Sequence, residues 1–200
     1  MKLLIATFNA GKLAEYKLIF QDLGLPIQLV FLEDLGIKEK LKEIGKSFEE
    51  NAILKARFYY QLAKIPTLAD DGGIEIDYLG GEPGVKSRRW PGYTATDEEL
   101  VEIALEKLKG VPLEKRGAKF KVVIAIAFSK NNIHTSDGEL KGILLEKPTK
   151  IVPGYPFRSL FYLPEIGKTL GELRMEEEAR VAHRKKALEK ALPILKKLEN

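Results

Sequence analysis

The spacing of apolar residues changes period several times along the chain. Lys2 to Thr7 is a short apolar run that reads as a buried strand, and Phe8 to Gly11 is a polar, glycine-containing turn. Leu13, Tyr16, Ile19, Phe20 and Leu23 then recur at helical spacing until Gly24 stops them, so the chain opens strand, loop, helix. Ile27 to Leu32 suits a second strand, and Glu33 to Lys46 is a charged excursion over the surface. Ser47 with Glu50 three residues later has the pattern of a capping box, and Phe48, Ile53, Leu54, Phe58 and Leu62 carry a helix toward Pro66, which ends it.

Thr67 to Ala69 and Ile74 to Ile76 read as extended segments interrupted by Asp70, Asp71, Gly72 and Gly73, which places the acidic pair in a kink. Thr96 with Glu99 caps a helix running through Leu108. Ala118 to Phe128 and His134 to Leu145 look like two long strands joined by a polar turn at Ser129 to Asn132, and Glu176 to Leu198 is the last helix. Early alternation of strand and helix followed by a strand pair predicts an α/β fold with a mixed sheet flanked by helices. With 200 residues, 44% hydrophobic, and no repeat or low-complexity linker, the chain fits one domain, 1–200.

No apolar run approaches the roughly 20 residues of a membrane helix, and the opening leads into Thr7 and Asn9 rather than a signal-peptide core. A cytoplasmic protein without a membrane partner is expected. The absence of cysteine excludes disulfides, thiolate nucleophiles and sulfur-ligated metals, so any metal must sit on oxygen or histidine. The net charge of +4 suits a polyanion, but 33 basic residues are interspersed with 29 acidic ones and no nucleic-acid-binding motif accompanies them, so no nucleic acid is expected as a partner.

Several segments carry candidate chemistry. Thr7-Phe8-Asn9-Ala10-Gly11-Lys12 lies where a strand gives way to a helix, where backbone N–H groups and the helix dipole favour an anion; Lys12 adds a full charge. The same residues also describe an ordinary polar loop with a surface lysine. Asp70 and Asp71 set two carboxylates side by side, which repel unless a cation or a proton intervenes, and a hard divalent ion is the natural partner; an acidic turn is the alternative. Lys55 lies within the second helix. Tyr155 and Phe157 are two aromatics in one loop, able to stack a base or to pack into the core, and His183-Arg184 opens a strongly basic helix.

Taken together and in this order, the segments resemble the inosine triphosphate pyrophosphatase family, also described as dITP/XTP pyrophosphatases. The first loop fits a T-x-N-x-x-K signature, Ser47 to Ala56 fits S/T-F-x-E-N-A-x-x-K-A, Asp70 to Gly84 fits D-D-S-G-L followed by G-x-P-G, and His183-Arg184 fits S-H-R. The resemblance covers nearly the whole chain. It implies an α/β fold of two lobes with a nucleotide cleft between them, a homodimer, and magnesium-dependent hydrolysis of non-standard purine triphosphates (ITP, dITP, XTP) to the monophosphate and pyrophosphate. By the same resemblance, Thr7, Asn9, Lys12 and Lys55 would hold the triphosphate. Glu43 and Asp71 would bind the metal, and Tyr155 and Phe157 would lie beside the purine, with His183 and Arg184 reading its 6-keto edge. The residues alone do not decide whether Asp71 or Asp70 orients the attacking water.

Four positions depart from the family pattern. Gly72 and Ala182 replace serines, Arg158 replaces an aspartate, and Glu178 replaces a lysine. The last two exchange sign together at the same separation, which looks like a swapped ion pair flanking the base pocket; independent drift of two surface residues is the alternative. The alternative reading of the chain is a nucleotide-binding protein of the same fold with altered base specificity or lost turnover.

Overall fold

Strand β1 (Lys2–Ile5) is apolar and almost wholly buried, and it pairs in parallel with both β2 (Gln28–Phe31) and β3 (Thr67–Ile76). The computed structural model describes residues 2–196. Helix α1 (Ala10–Asp22) joins β1 to β2; the Asn9 side chain caps it by accepting from the Lys12 N–H at 3.1 Å. Helix α2 (Phe48–Ala63) leads from the excursion into β3. The later chain adds α3 (Asp97–Lys107), the hairpin β4 (Gly117–Ala127) and β5 (Ile133–Leu144), the short strands β6 (Phe161–Leu163) and β7 (Lys168–Thr169), and helices α4 (Met175–Val181) and α5 (His183–Leu195). The strands form one seven-stranded sheet in the order β2-β1-β3-β4-β5-β6-β7, parallel at β2-β1-β3 and antiparallel at β5-β6-β7. This is the mixed α/β sheet expected from the sequence.

Three expectations need correction. Asp70 to Gly73 is not a kink: β3 runs unbroken from Thr67 to Ile76, because the two carboxylates find cationic partners from distant parts of the chain. The last helix is two helices, separated at Ala182, whose ψ of 138° is extended; α5 ends at Leu195, and the expected end at Leu198 lies outside the described residues. The Ser47–Glu50 capping box is half made. Ser47 Oγ accepts from the Glu50 N–H at 3.1 Å, but the Glu50 carboxylate turns to the Lys46 N–H at 2.7 Å. Thr96 and Glu99 make both bonds of theirs. Helix α2 also stops before Pro66, at Ala63, with Lys64 in the left-handed region at φ 57°.

The chain divides into two compact units, one formed by Met1–Gly72, Val122–Glu139 and Ala179–Asn200, the other by Gly73–Lys121 and Leu140–Glu178. In the first, Leu3 and Ile5 of β1, Tyr16, Ile19 and Phe20 of α1, Leu68 of β3, Val122, Ile124 and Ile126 of β4, and Leu188 and Leu195 of α5 form one core. Each such Leu or Ile contributes on the order of 1.5–3 kcal/mol of apolar burial. Helix α5 lies against β5 at Gly138, where a Cβ would stand 2.0 Å from the His183 carbonyl oxygen, so glycine alone permits that approach. The second unit packs Leu100, Val101 and Ala104 of α3 with Phe157, Leu160 and Phe161 as buried residues, and buried Arg116 donates to the carbonyls of Leu108 and Val111 at 2.8 Å, satisfying the end of α3.

Candidate active site

The Thr7–Lys12 loop is shaped by its own side chains. Thr7 Oγ1 accepts from the Asn9 N–H at 3.2 Å, and the Asn9 cap turns Ala10, Gly11 and Lys12 into the first turn of α1. That turn presents orphan backbone N–H groups beside a lysine. Phe8 stays 45% exposed in the loop, edge-on to Tyr59 and with the Lys40 ammonium 5.5 Å from its ring centre.

Asp70 is the anchor of a buried charge network. Lys12 Nζ lies 3.0 Å from Asp70 Oδ2 and Arg184 Nε donates to the same oxygen at 3.0 Å, while Arg184 NH1 donates to Glu15 Oε2 at 2.8 Å. Burial alone would raise the Asp70 pKa, but the charges of Lys12, Arg184 and Lys55 outweigh it and hold the carboxyl well below the usual carboxylate range. Burial lowers Lys12, opposed by Asp70. Arg184 opens α5 in its first turn, beside His183, and both are buried.

Asp71 stands on the same strand with a different set of partners. Lys55 Nζ reaches Asp71 Oδ1 at 3.2 Å and Glu43 Oε1 at 2.8 Å, so one ammonium draws together two carboxylates from separate segments. Asn51 Nδ2 donates to the other oxygen, Asp71 Oδ2, at 3.0 Å. Burial pushes the Asp71 pKa up, and the Lys55 charge only partly restrains it. Lys55 itself is raised: desolvation opposes its charge, but Asp71, Asp70 and Glu43 together prevail. Two hard carboxylates converging on one cation is an arrangement magnesium also accepts. Among the described residues no group of three or more His, Asp or Glu forms a complete protein cage. Magnesium commonly takes only one or two carboxylates and completes its shell with water and phosphate, so the donor set fits it.

The second unit gathers the remaining candidates. Arg158 and Glu178 form a two-pronged ion pair, with N–O distances of 2.7 and 2.8 Å, as the joint sign exchange in the sequence predicts. The Arg158 guanidinium also lies 3.7 Å from the Tyr155 ring centre. Phe157 is buried edge-on to Trp90, and Tyr155, Phe157, Arg158 and Arg88 line a cavity of about 140 Å³. Asp97 ties this loop down by pairing with Arg88 and accepting from the Gly154 N–H at 2.6 Å. Gly72 is the last residue of its segment in the first unit.

Sequence reasoning missed Glu15 and gave Asn51 no role. Glu15 is 4% exposed and pairs with Arg184; its signal was an acid one turn after Lys12 on the face of α1 that carries Tyr16 and Ile19. Tyr16 is fully buried, and burial raises its pKa well above the usual tyrosine value.

Among the described residues no helix is long and apolar enough to cross a membrane. A sequence profile of the Ham1 family matches residues 3–194, through both units. A dITP/XTP pyrophosphatase of Thermoanaerobacter sp. (strain X514) is 42% identical over 200 residues, covering 100% of this chain and 99% of its own. One from Thermus thermophilus is 40% identical over 98% of this chain and 92% of its own. The solved structure of a HAM1 protein from Coxiella burnetii superposes with a TM-score of 0.84 at 32% identity, covering 98% of this chain and 99% of that one. With its profile match running almost end to end and relatives of this identity aligned over full length, the chain belongs to the Ham1 family.

Proposed function

We propose that this protein hydrolyses non-standard purine nucleoside triphosphates (ITP, dITP and XTP) to the monophosphate and pyrophosphate, removing aberrant purines from the nucleotide pool. The observation that carries the reading is the arrangement of Lys12 and Lys55 among Asp70, Asp71 and Glu43 beside a helix N-terminus, in a chain whose full-length relatives are named dITP/XTP pyrophosphatases. The unbroken family match supports treating residues 1–200 as one functional domain.

The Thr7–Lys12 turn, with Lys12 and Lys55, binds the triphosphate through backbone N–H groups and two ammonium charges. Glu43 and Asp71 hold Mg²⁺. When bound, the ion neutralises phosphate charge and polarises the bond that breaks. Four carboxylates, counting Glu15, face three cationic groups across Lys12, Lys55 and Arg184, so one negative charge is left over for a divalent ion to reverse.

Different surroundings separate the two aspartates. Asp70 is committed to Lys12 and Arg184 and is held ionised, a poor proton acceptor; its part is to anchor those cations. Asp71, which meets one ammonium and a neutral amide rather than two cations, is the less committed carboxylate and orients the water that attacks. Tyr155, Phe157, Arg158, Glu178, His183 and Arg184 carry the base recognition that the family pattern gives those positions. Arg184 offers only donors, which match a 6-keto oxygen and oppose the 6-amino group of adenine. Release of pyrophosphate from ITP, XTP and ATP with Mg²⁺ tests the reading: rapid release from the first two and slow release from ATP is expected. No pyrophosphate from any of them, with the nucleotides still bound, would favour a binding protein instead.

A further inference from the structure

Two side chains one turn apart on α2 connect the segment before that helix to Asp71, and they differ in charge. Lys55 bridges Glu43 Oε1 and Asp71 Oδ1. Asn51 makes the parallel connection: its amide nitrogen donates to Asp71 Oδ2 at 3.0 Å, and its Oδ1 accepts from the Gly45 N–H at 2.7 Å. Asn51 is only 1% exposed. Both ends of the bridge fix the amide's orientation, since a backbone N–H can only donate and an ionised carboxylate can only accept. Gly45 is required by this approach, because a Cβ there would stand 2.6 Å from Asn51 Oδ1 and 2.9 Å from Asn51 N.

The two bridges respond differently to a cation arriving between Glu43 and Asp71. The Lys55 ammonium is repelled by it and competes for the same oxygens. The Asn51 amide is neutral, holds the opposite oxygen of Asp71, and gains no penalty from the new charge. We propose that Asn51 is a positioning residue that keeps the Glu43-bearing segment and the Asp71 carboxylate in register for one divalent cation, holding that register when Lys55 turns to the phosphates. The inference rests on the assignment of Glu43 and Asp71 as metal ligands. Hydrogen-bonding partners of metal ligands typically change metal affinity about 10- to 100-fold when removed. Asn51 does this from both sides of the site at once.

The test is Mn²⁺ binding to the full chain without nucleotide, followed by the electron paramagnetic resonance signal of free Mn²⁺. Wild type is compared with Asn51→Leu, Gly45→Ala and Glu43→Gln, and thermal unfolding is measured for each. Asn51→Leu keeps the volume and removes both hydrogen bonds; Gly45→Ala pushes the segment off Asn51 from the other side. Both should weaken Mn²⁺ binding about 10- to 100-fold, and the metal needed for half-maximal rate should rise while kcat at saturating metal changes little. A purely structural role would lower the unfolding temperature and leave the Mn²⁺ dissociation constant unmoved, which overturns the proposal. If Asn51→Leu does not fold, Gly45→Ala decides on the same criterion. Loss of Mn²⁺ in Glu43→Gln with normal binding in the other two defeats the role of Asn51 alone. Normal binding in Glu43→Gln defeats the metal assignment beneath it.

Discussion

Reversing Arg158 alone, as Arg158→Asp, sets two carboxylates against each other where the structure holds a two-pronged ion pair at 2.7 and 2.8 Å. Both side chains are mostly buried, at 13% and 10% exposure, so water screens the repulsion poorly. Removing one partner of a buried pair costs about 3–5 kcal/mol, and Glu178→Lys should cost a similar amount by bringing two cations together. The double variant restores opposite charges, as in the family pattern, so the two costs should largely cancel and the coupling energy should reach about 4 kcal/mol or more, above the usual range for contacting residues. Recovery should still fall short by about 1–2 kcal/mol, because no guanidinium then covers the Tyr155 ring, now 3.7 Å away. Urea unfolding of the four proteins gives the cycle, and kcat/KM for ITP gives its functional counterpart. Additivity within about 0.5 kcal/mol would refute the idea that these residues act as a pair.

The two aspartates should separate stability from turnover. Asp71→Asn should keep its unfolding temperature within a few degrees and lose about 10²- to 10⁴-fold in kcat, the range for a general base; a near-normal rate would move the chemistry elsewhere. Asp70→Asn leaves Arg184 and Lys12 with an uncompensated buried charge, about 3–5 kcal/mol, and should lower the unfolding temperature by on the order of 10 °C. An unchanged temperature would mean that the network is not anchored there. ITP should exceed ATP in kcat/KM by about 5- to 150-fold from one unmatched buried donor, and equal values would remove Arg184 from base selection. Chelation of divalent ions should abolish pyrophosphate release, and Mg²⁺ should restore it; activity persisting in chelator contradicts the assignment of Glu43 and Asp71.

Local pattern made the early strands and helices legible, because β1 and α1 bury continuous or helically spaced apolar residues. It misread β3, where Asp-Asp-Gly-Gly has the composition of a turn. Of the carboxylates that permit a straight strand there, Asp70 is satisfied by Lys12 and Arg184, 58 and 114 residues away, and Asp71 by Lys55 and Asn51. The break at Ala182 was hidden because apolar spacing continues across it, yet the break is what starts α5 at His183 and sets Arg184 in its first turn. The Thr7–Lys12 loop, Glu43, Lys55 and the aspartates were singled out through motifs, and the structure joins their charged side chains in ion pairs. Which cation each carboxylate meets was not legible, since those partners come together only on folding. Glu15 and Asn51 escaped for a related reason: one reads as a solvated helix face, the other as a neutral residue within a motif, and only burial reveals their partners.

The most direct measurement is phosphorus NMR of the products of ITP turnover with Mg²⁺, on wild type and Asp71→Asn side by side. Wild type should yield only inosine monophosphate and pyrophosphate, with the variant leaving ITP essentially intact under the same conditions. Inosine diphosphate and orthophosphate as the primary products, or equal turnover by Asp71→Asn, would contradict the proposed mechanism.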